Sequence, residues 1–328
     1  MRVVSAPDQF NVSDLFVDLS RATGHRLMLK CEGFNFGGSI KMKAAVGMVS
    51  AAERDGLLVP GATIVESSSG NLGVALSIVA ASRGYGFICV TDSRCTLGAR
   101  QLMQTLGSRV HVITEPDPEV GLVGARIKHV QRLCADHAGY VWLNQYQNRE
   151  NWAAHFRTTG PEMLHAFPDL AVVIIGAGTT GTLMGCARYL RVAKPTVRIV
   201  AVDTIGSVTF GGPAAPRMLP GLGSAVRSHL LDESFVDEVV MVPEADAIST
   251  CWALARHGFL FGGSTGTVVA GATGWLERNE PPAGTVLAIA PDQGERYLDT
   301  VYQPQWVTDL FGAEPLEGRI GAPLTEAS

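Results

Sequence analysis

Six short apolar segments recur along the chain, separated by stretches long enough to form helices. They are TIVES at 63–67, GFICVTD at 86–92, RVHVIT at 109–114, AVVIIG at 171–176, RIVAVD at 198–203 and TVLAIAPD at 285–292. Apolar strands that alternate with helices are typical of parallel sheets covered by helices on both faces. This alternation predicts an α/β fold.

The segments fall into two groups, one before about residue 120 and one after about residue 170. A chain of 328 residues is long enough for two subdomains with a cleft between them. We predict a smaller α/β subdomain over 38–148 and a larger one formed by 1–37 and 149–328. The glycine- and proline-rich stretch at 206–225 is predicted to be a surface loop.

The composition indicates a compact soluble enzyme, since 46% of residues are hydrophobic, 17% are charged and the net charge is -5. Without a basic stripe, a nucleic-acid partner is not expected, and small molecules are the expected partners. No apolar run reaches the roughly 18 residues of a membrane span, and the N-terminus lacks the pattern of a signal peptide. The expected location is the cytoplasm. The six cysteines form no CxxC pair and no spacing with histidine typical of a metal site, so no metal is expected.

The segment GAGTTG at 176–181 follows a predicted strand and opens a predicted helix. Backbone amides at a helix N-terminus attract anions, so the segment predicts a phosphate site. It also satisfies the dinucleotide pattern GxGxxG, and Asp203 lies about twenty residues further on, where a ribose ligand would bind. An NAD(P)-dependent oxidoreductase and a purely structural glycine turn therefore stay open as alternatives at this point.

Three further segments carry residue types suited to chemistry. SSSGNLG at 67–73 follows a predicted strand, at the end where open α/β sheets bind ligands, although it could be an ordinary helix-capping turn. GGSIK at 37–41 places Lys41 after two glycines, where burial would lower its pKa and allow reaction with a carbonyl. Most lysines are instead solvated surface charges. GGSTG at 262–266 places Ser264 on a late turn, which alone indicates no more than a turn.

Taken in order, six segments resemble the fold-type II pyridoxal-phosphate family, which includes cysteine synthase and cystathionine β-synthase. They are FNFGGSIK at 34–41, SSSGNLG at 67–73, NQYQN at 144–148, HFRTTGPE at 155–162, GTTGTLMG at 178–185 and PDQGERYLDT at 291–300. The resemblance runs from about residue 25 to about residue 305. It implies a tryptophan synthase β-like architecture, pyridoxal 5′-phosphate as the cofactor, and a homodimer.

The resemblance also implies a role for particular residues. Lys41 would hold the cofactor as an internal aldimine, Asn71 would bind its ring hydroxyl, and Ser264 would face its pyridine nitrogen. The cofactor phosphate would be held by Gly178, Thr179, Thr180, Gly181 and Thr182. The substrate carboxylate would be held by Ser68, Ser69, Asn71, Gln145 and the backbone amide of Leu72.

These residue types are typical of β-replacement. A serine opposite the pyridine nitrogen does not force its protonation, so the ring is a weaker electron sink than with aspartate. Removal of the Cα proton by Lys41 would then lead to loss of the Cβ substituent. The resulting α-aminoacrylate would be attacked by a second nucleophile.

Four residues depart from ordinary cysteine synthases. Phe36 replaces a proline, Met42 and Lys43 replace an Asp-Arg pair, and Leu72 replaces a threonine. GGSIKMK at 37–43, PRMLPGLGSAVR at 216–227 and RYLDTVYQPQWV at 296–307 look more like the branch that makes N-(2-amino-2-carboxyethyl)-L-glutamate. That branch feeds 2,3-diaminopropionate into siderophores and peptide antibiotics. The resemblance implies O-phospho-L-serine as donor and L-glutamate as nucleophile.

Cysteine or cysteate synthesis with a sulfur nucleophile is the alternative reaction within the family. The alternatives from other functional classes are an NAD(P)-dependent oxidoreductase that uses GAGTTG and a non-catalytic homologue. Arg217 and Arg227 are the candidates for binding the donor phosphate, unless both are solvated loop charges. His155 is expected to be a packed core residue rather than part of the site.

Overall fold

The structure of the protein is a computed structural model that describes residues 3–118, 120–280 and 282–320. Its strands are β1 (Phe16–Asp18), β2 (Met28–Cys31), β3 (Thr63–Ser67), β4 (Gly86–Asp92), β5 (Arg109–Ile113), β6 (Tyr140–Trp142), β7 (Leu170–Gly176), β8 (Arg198–Thr204), β9 (Glu238–Val242) and β10 (Thr285–Ala290). Its helices are α1 (Ser20–Thr23), α2 (Lys41–Arg54), α3 (Asn71–Arg83), α4 (Leu97–Thr105), α5 (Gly121–Asp136), α6 (Glu150–Arg157), α7 (Thr159–Ala166), α8 (Gly181–Ala193), α9 (Glu244–Arg256), α10 (Gly263–Arg278) and α11 (Pro304–Phe311).

The strands form two sheets. A six-stranded sheet has the order β1-β2-β10-β7-β8-β9, and a four-stranded sheet has the order β5-β4-β3-β6. Every neighbouring pair is parallel except β1 and β2, which are antiparallel. The α/β fold predicted from the sequence is confirmed.

The central strands are apolar throughout because both of their faces are buried. In β7, Val172 and Ile174 pack into the core on one face, while Val173 and Ile175 pack into the core on the other. This two-residue alternation between faces is the geometry of a strand. A continuous apolar run is therefore the expected signal for a central strand of this sheet.

The structure contains all six strands predicted from apolar runs, as β3, β4, β5, β7, β8 and β10. The prediction missed β1, β2, β6 and β9, which are short or lie next to an edge of a sheet. The four-stranded sheet is drawn from 63–142 and the six-stranded sheet from 16–31 and 170–290. The exact subdomain boundaries at 38 and 148 stay a prediction.

The segment at 206–225 is a loop as predicted, and 213–216 is exposed, but several of its other residues are buried. Ser207, Thr209 and Leu222 are buried, and so is Arg217. The backbone finds hydrogen-bond partners inside the protein, which makes burial possible. The amide of Gly223 donates to the carbonyl of Ala177 at 2.8 Å. Part of the segment therefore lies against the end of β7, while 213–216 is exposed to solvent.

In the residues that the structure describes, no helix is both long and apolar enough to cross a membrane. The same residues contain no group of three or more His, Cys, Asp or Glu side chains that could hold a metal ion.

We expect Gly185→Ala to lower the free energy of unfolding by about 1–3 kcal/mol, the usual effect of overpacking a tight contact. A Cβ on Gly185 in α8 would lie 2.2 Å from the carbonyl oxygen of Trp152 in α6, so the two helices would have to separate. Urea unfolding measures the change. Gly98 in α4 is the matched control, since its added Cβ would meet nothing within 4 Å. Gly98→Ala should instead stabilise by up to about 1 kcal/mol. Equal effects of the two substitutions would contradict the packing described here.

Candidate active site

A cavity lies where the carboxyl ends of β3, β7 and β10 approach one another. Ligands of open α/β sheets bind at this end of the strands. All but one of the site residues predicted from the sequence line this cavity: Lys41, Ser68, Ser69, Asn71, Leu72, Gln145, Gly178, Thr179, Thr180, Gly181, Thr182, Arg217 and Ser264. Arg227 is the exception.

Lys41 is the first residue of α2, and the loop before it is tied down on both sides. The amide of Ile40 donates to the carbonyl of Pro291 at 2.7 Å, and the side-chain amide of Asn35 donates to the carbonyl of Ser39 at 3.0 Å. Burial lowers the pKa of the Lys41 amine, and the nearby Asp292 carboxylate opposes this shift only in part. The site therefore presents an amine that loses its proton more easily than an exposed lysine.

The lowered pKa of Lys41 leads to a pH-dependent prediction. The rate at which the apo-enzyme captures pyridoxal 5′-phosphate covalently should rise with pH and level off below pH 10.5, the ordinary pKa of lysine. The sign follows because only the unprotonated amine reacts and a lowered pKa supplies it at lower pH. Stopped-flow absorbance measures the rate, with Nα-acetyl-lysine as the control amine. A profile identical to that of the free amine would contradict the assignment.

The glycine turn, defined here as Gly178–Thr182, connects β7 to the first turn of α8. A Cβ on Gly178 would lie 2.6 Å from the carbonyl oxygen of Gly221, and one on Gly181 would lie 2.2 Å from the side-chain oxygen of Asn151. Thr180 adopts a left-handed backbone with φ of 66°, which lets the chain turn sharply into the helix. The turn thus brings backbone amides at a helix N-terminus to the cavity wall, an arrangement that fits a phosphate group.

A buried carboxylate, Asp292, holds two side chains of the cavity wall in place by hydrogen bonds. Asp292 accepts hydrogen bonds from the Asn71 side-chain amide at 2.8 Å, from the Ser264 hydroxyl at 3.0 Å and from the Tyr297 hydroxyl. Burial raises the pKa of Asp292, and these donors act against that shift. Arg296 completes the network, since it donates to the side-chain oxygen of Asn71 at 3.0 Å. Asn71 and Ser264 are therefore held in fixed orientations at the cavity wall.

The Ser-Asn loop after β3 is held in a similar way. The Ser68 hydroxyl oxygen accepts from the backbone amides of Gly70 at 3.2 Å and Gly73 at 2.9 Å. The side-chain amide of Gln145 donates to the carbonyl of Ser67 at 2.6 Å. These bonds fix the loop against the cavity, where the resemblance places the substrate carboxylate.

Two arginines that the sequence analysis missed also line the cavity. Arg94 donates to Asp92 through both Nε and Nη2, at 3.2 Å and 2.8 Å. Arg126 on α5 is only 3% exposed, and its Nε lies 3.4 Å from the same carboxylate. Within the described residues, Nε and Nη1 of Arg126 have no hydrogen-bond partner. Asp92 thus faces two guanidinium groups, and of the two Arg126 nitrogens only Nη1 is directed to no acceptor among the described residues.

The two arginines proposed from the sequence have different positions. Arg217 is buried at the cavity wall, where its Nη1 donates to the carbonyl of Leu222 at 3.2 Å, so it is not a solvated loop charge. Arg227 does not line the cavity here, and its exposed side chain pairs with Glu233, so its role in substrate binding stays a prediction. The neighbouring Ser228 hydroxyl donates to the carbonyl of Thr179 at 2.8 Å.

Two other residues from the sequence analysis are buried. Asp203, the candidate ribose ligand, is fully buried, and its carboxylate accepts from the amide of Thr204 at 2.8 Å. It does not line the cavity. His155 is buried as expected, and it also contacts Thr182 of the glycine turn. The arrangement offers no support for the dinucleotide alternative.

Comparison with known proteins agrees with this geometry. The family model for pyridoxal-phosphate-dependent enzymes matches residues 16–292. Two curated relatives are named N-(2-amino-2-carboxyethyl)-L-glutamate synthase. The one from Ralstonia nicotianae is 36% identical over 301 residues, which cover 91% of this chain and 87% of the relative. The one from Cupriavidus metallidurans is 35% identical over 301 residues, which cover 90% of this chain and 88% of the relative.

Solved structures are also similar to this chain over most of its length. O-ureido-L-serine synthase has a TM-score of 0.84 and 34% identity, with 94% of this chain and 96% of that chain covered. A hydrogen sulfide-producing enzyme from Fusobacterium nucleatum has a TM-score of 0.84 and 26% identity, with 90% and 100% covered. The predicted cofactor, the predicted fold type and the prediction of a β-replacement enzyme are confirmed. The chain belongs to the pyridoxal-phosphate-dependent enzymes.

Proposed function

We propose that this enzyme displaces the phosphate of O-phospho-L-serine with the amino group of L-glutamate. The product is N-(2-amino-2-carboxyethyl)-L-glutamate. In this reaction the Cβ–O bond of the donor breaks, a Cβ–N bond to glutamate forms, and inorganic phosphate leaves.

The observation that carries this proposal is the charge of the cavity wall. Among the described residues that line the cavity there is no Asp or Glu, whereas five are basic: Lys41, Arg94, Arg126, Arg217 and Arg296. Both proposed substrates are anions, since O-phosphoserine carries a carboxylate and a phosphate and glutamate carries two carboxylates. An anion taken into such a cavity needs charged donors to replace its water. The ester group of O-acetylserine is neutral, so it does not require charged donors.

Each group of cavity residues would have a separate role in this reaction. When bound, pyridoxal 5′-phosphate supplies the electron sink that stabilises charge at Cα. Lys41 would move the Cα proton, and the glycine turn would hold the cofactor phosphate through its amides and hydroxyls. The loop after β3, together with Gln145, would bind the α-carboxylate of the donor. Arg126, whose Nη1 has no hydrogen-bond partner among the described residues, would bind the donor phosphate.

The choice of glutamate as nucleophile is supported by the two relatives whose printed names contain this product. One structural neighbour, O-ureido-L-serine synthase, forms a different serine derivative by its printed name. A homodimer stays a prediction, and so does a cytoplasmic location.

The experiment that tests the function pairs each of two donors with each of three nucleophiles. Purified holoenzyme is given O-phosphoserine or O-acetylserine, together with glutamate, sulfide or sulfite, and products are identified by mass spectrometry. We expect the highest kcat/KM for O-phosphoserine with glutamate. Faster formation of cysteine or cysteate would replace the proposal with the sulfur alternative, and no product from any pair would favour a non-catalytic homologue.

A further inference from the structure

A chain of hydrogen bonds runs from a nearly buried lysine to the glycine turn. Lys43 Nζ donates to Thr159 Oγ1 at 3.0 Å, and Thr159 Oγ1 lies 2.9 Å from His155 Nδ1. On the other side of the ring, His155 Nε2 lies 3.3 Å from Thr182 Oγ1. Thr182 is in the first turn of α8 and lines the cavity. This series of hydrogen bonds thus connects α2 to the glycine turn at the cavity wall.

Lys43 sets the direction of every bond in this chain. An ammonium group only donates, so the oxygen of Thr159 accepts from Lys43. The hydroxyl hydrogen of Thr159, which is fully buried, needs an acceptor, and the acceptor that the structure places beside it is His155 Nδ1, so we infer that Nδ1 accepts. A neutral imidazole that accepts at Nδ1 carries its proton at Nε2. This N–H donates to the oxygen of Thr182, so the hydroxyl hydrogen of Thr182 is left for the cavity.

These hydrogen bonds require a neutral His155 and a charged Lys43, and the groups around the two side chains favour both charge states. Burial lowers the pKa of His155 well below its ordinary value, and the nearby Lys43 and Lys41 add to the effect, so the ring is neutral near pH 7. Burial also acts to lower the pKa of Lys43, but Glu32 and Glu162 outweigh it and raise the pKa. Lys43 Nζ donates to them at 2.9 Å and 2.7 Å. Lys43 therefore stays charged.

A second threonine of the glycine turn is directed in the same way. The side-chain amide nitrogen of Asn151 donates to the carbonyl of Gln145 at 2.7 Å and to Thr179 Oγ1 at 3.0 Å. The Thr179 oxygen accepts, so its hydrogen is also available to the cavity. Thr180 differs, since its hydroxyl donates to Ser228 Oγ at 3.1 Å. The turn thus offers two hydroxyl donors, each set by a donor behind it.

We propose that Lys43 is a positioning residue that, through Thr159 and His155, makes the Thr182 hydroxyl a donor to the phosphate held at the glycine turn. A phosphate dianion accepts hydrogen bonds and has none to give, so a hydroxyl oriented as a donor binds it better. The inference rests on the cofactor of the family and not on the proposed substrates. It also gives a physical role to Lys43, one of the residues that depart from ordinary cysteine synthases.

The tautomer of His155 tests the proposal directly in the apo-enzyme. Nitrogen-15 NMR of histidine-labelled protein distinguishes protonated from unprotonated ring nitrogens, and the signals lost in His155→Gln identify the residue among the 8 histidines. We expect the proton on Nε2 and an unprotonated Nδ1 at every pH from 6 to 8. A proton on Nδ1, or a positively charged ring, would overturn the proposal without any measurement of activity.

A double-mutant cycle tests whether the effect reaches the phosphate. Thr159→Val keeps the shape of the side chain and leaves Lys43 its two carboxylates, but removes the hydroxyl that orients His155. We expect it to weaken binding of pyridoxal 5′-phosphate to the apo-enzyme about 3- to 10-fold, the range for about one hydrogen bond. Binding of pyridoxal, which lacks the phosphate, should not change.

The cycle is completed with Thr182→Val and the double variant. If Thr159 acts only through Thr182, its substitution has no further effect once Thr182 has lost its hydroxyl. Thr159→Ser is the conservative control, because serine restores the hydroxyl and should restore the affinity. Additive losses in the double variant, or equal losses for pyridoxal and its phosphate, would show that Thr159 has a structural role only.

Discussion

Replacing Lys41 with alanine is expected to abolish turnover while leaving the fold intact. Lys41 begins α2 at the cavity wall, and in the proposed function it would supply both the amine that holds the cofactor and the base that moves the Cα proton. Loss of a general base alone costs about 10²- to 10⁴-fold in rate, so the combined loss should be at least that large. The variant should still bind the cofactor without a covalent bond, because the glycine turn is unchanged.

Absorbance of the bound cofactor and release of phosphate from O-phosphoserine are the two measurements. The visible absorbance band of the covalently held cofactor should disappear. Lys194→Ala is the matched control, since Lys194 follows the C-terminal end of α8 and its side chain donates to the carbonyl of Pro168, away from the cavity lining. An unchanged absorbance band in Lys41→Ala would move the covalent link to another lysine.

Most of the fold could be predicted because the central strands are buried on both faces. β7 and β8 each contain a run of buried apolar residues, and this run is the pattern that predicts a strand. β6 has only three residues, all partly exposed, so it is too short to give a clear pattern. β9 does contain an apolar run, VVMV at 239–242, so the sequence held a signal for this edge strand that the prediction missed.

The main parts of the site could be predicted because they are local motifs. Lys41, the loop after β3 and the glycine turn each lie on one short segment at the end of a strand or the start of a helix. The network around Asp292 is different, because it joins residues 71, 264, 292 and 296 from distant parts of the chain. Only the folded chain shows that Ser264 donates to Asp292. This bond places a carboxylate next to the serine that is predicted to face the pyridine nitrogen of the cofactor.

Arg126 had a signal in the sequence that could have been used. On α5, Val123 and Val130 are buried, and Arg126 lies between them at the spacing of the same helical face. A charged residue on an apolar face needs a partner, and a functional role is one explanation. Arg217 gave no such signal, because its burial depends on a loop folding back over the end of β7.

The donor-binding role of Arg126 leads to the second large effect. Arg126→Ala should weaken O-phosphoserine by about 1.5–3 kcal/mol, the range for a hydrogen bond to a charged group, and leave O-acetylserine nearly unchanged. The reason is that Arg126 lies at the cavity wall with no hydrogen-bond partner for its Nη1 among the described residues, while Arg94 still neutralises Asp92. The measurement is the concentration dependence of phosphate or acetate release before any nucleophile is added.

Arg132→Ala is the matched control, because Arg132 is on the same helix with an exposed side chain and does not line the cavity. Arg126→Lys separates charge from geometry, since a lysine keeps the charge but cannot form a two-pronged contact with phosphate. It should recover part of the affinity. If Arg126 instead binds a carboxylate of glutamate, the donor measurements will not change and only the KM for glutamate will rise. Equal losses for both donors would show that Arg126 supports the cavity wall without recognising phosphate, and O-phosphoserine would then lose its main structural support.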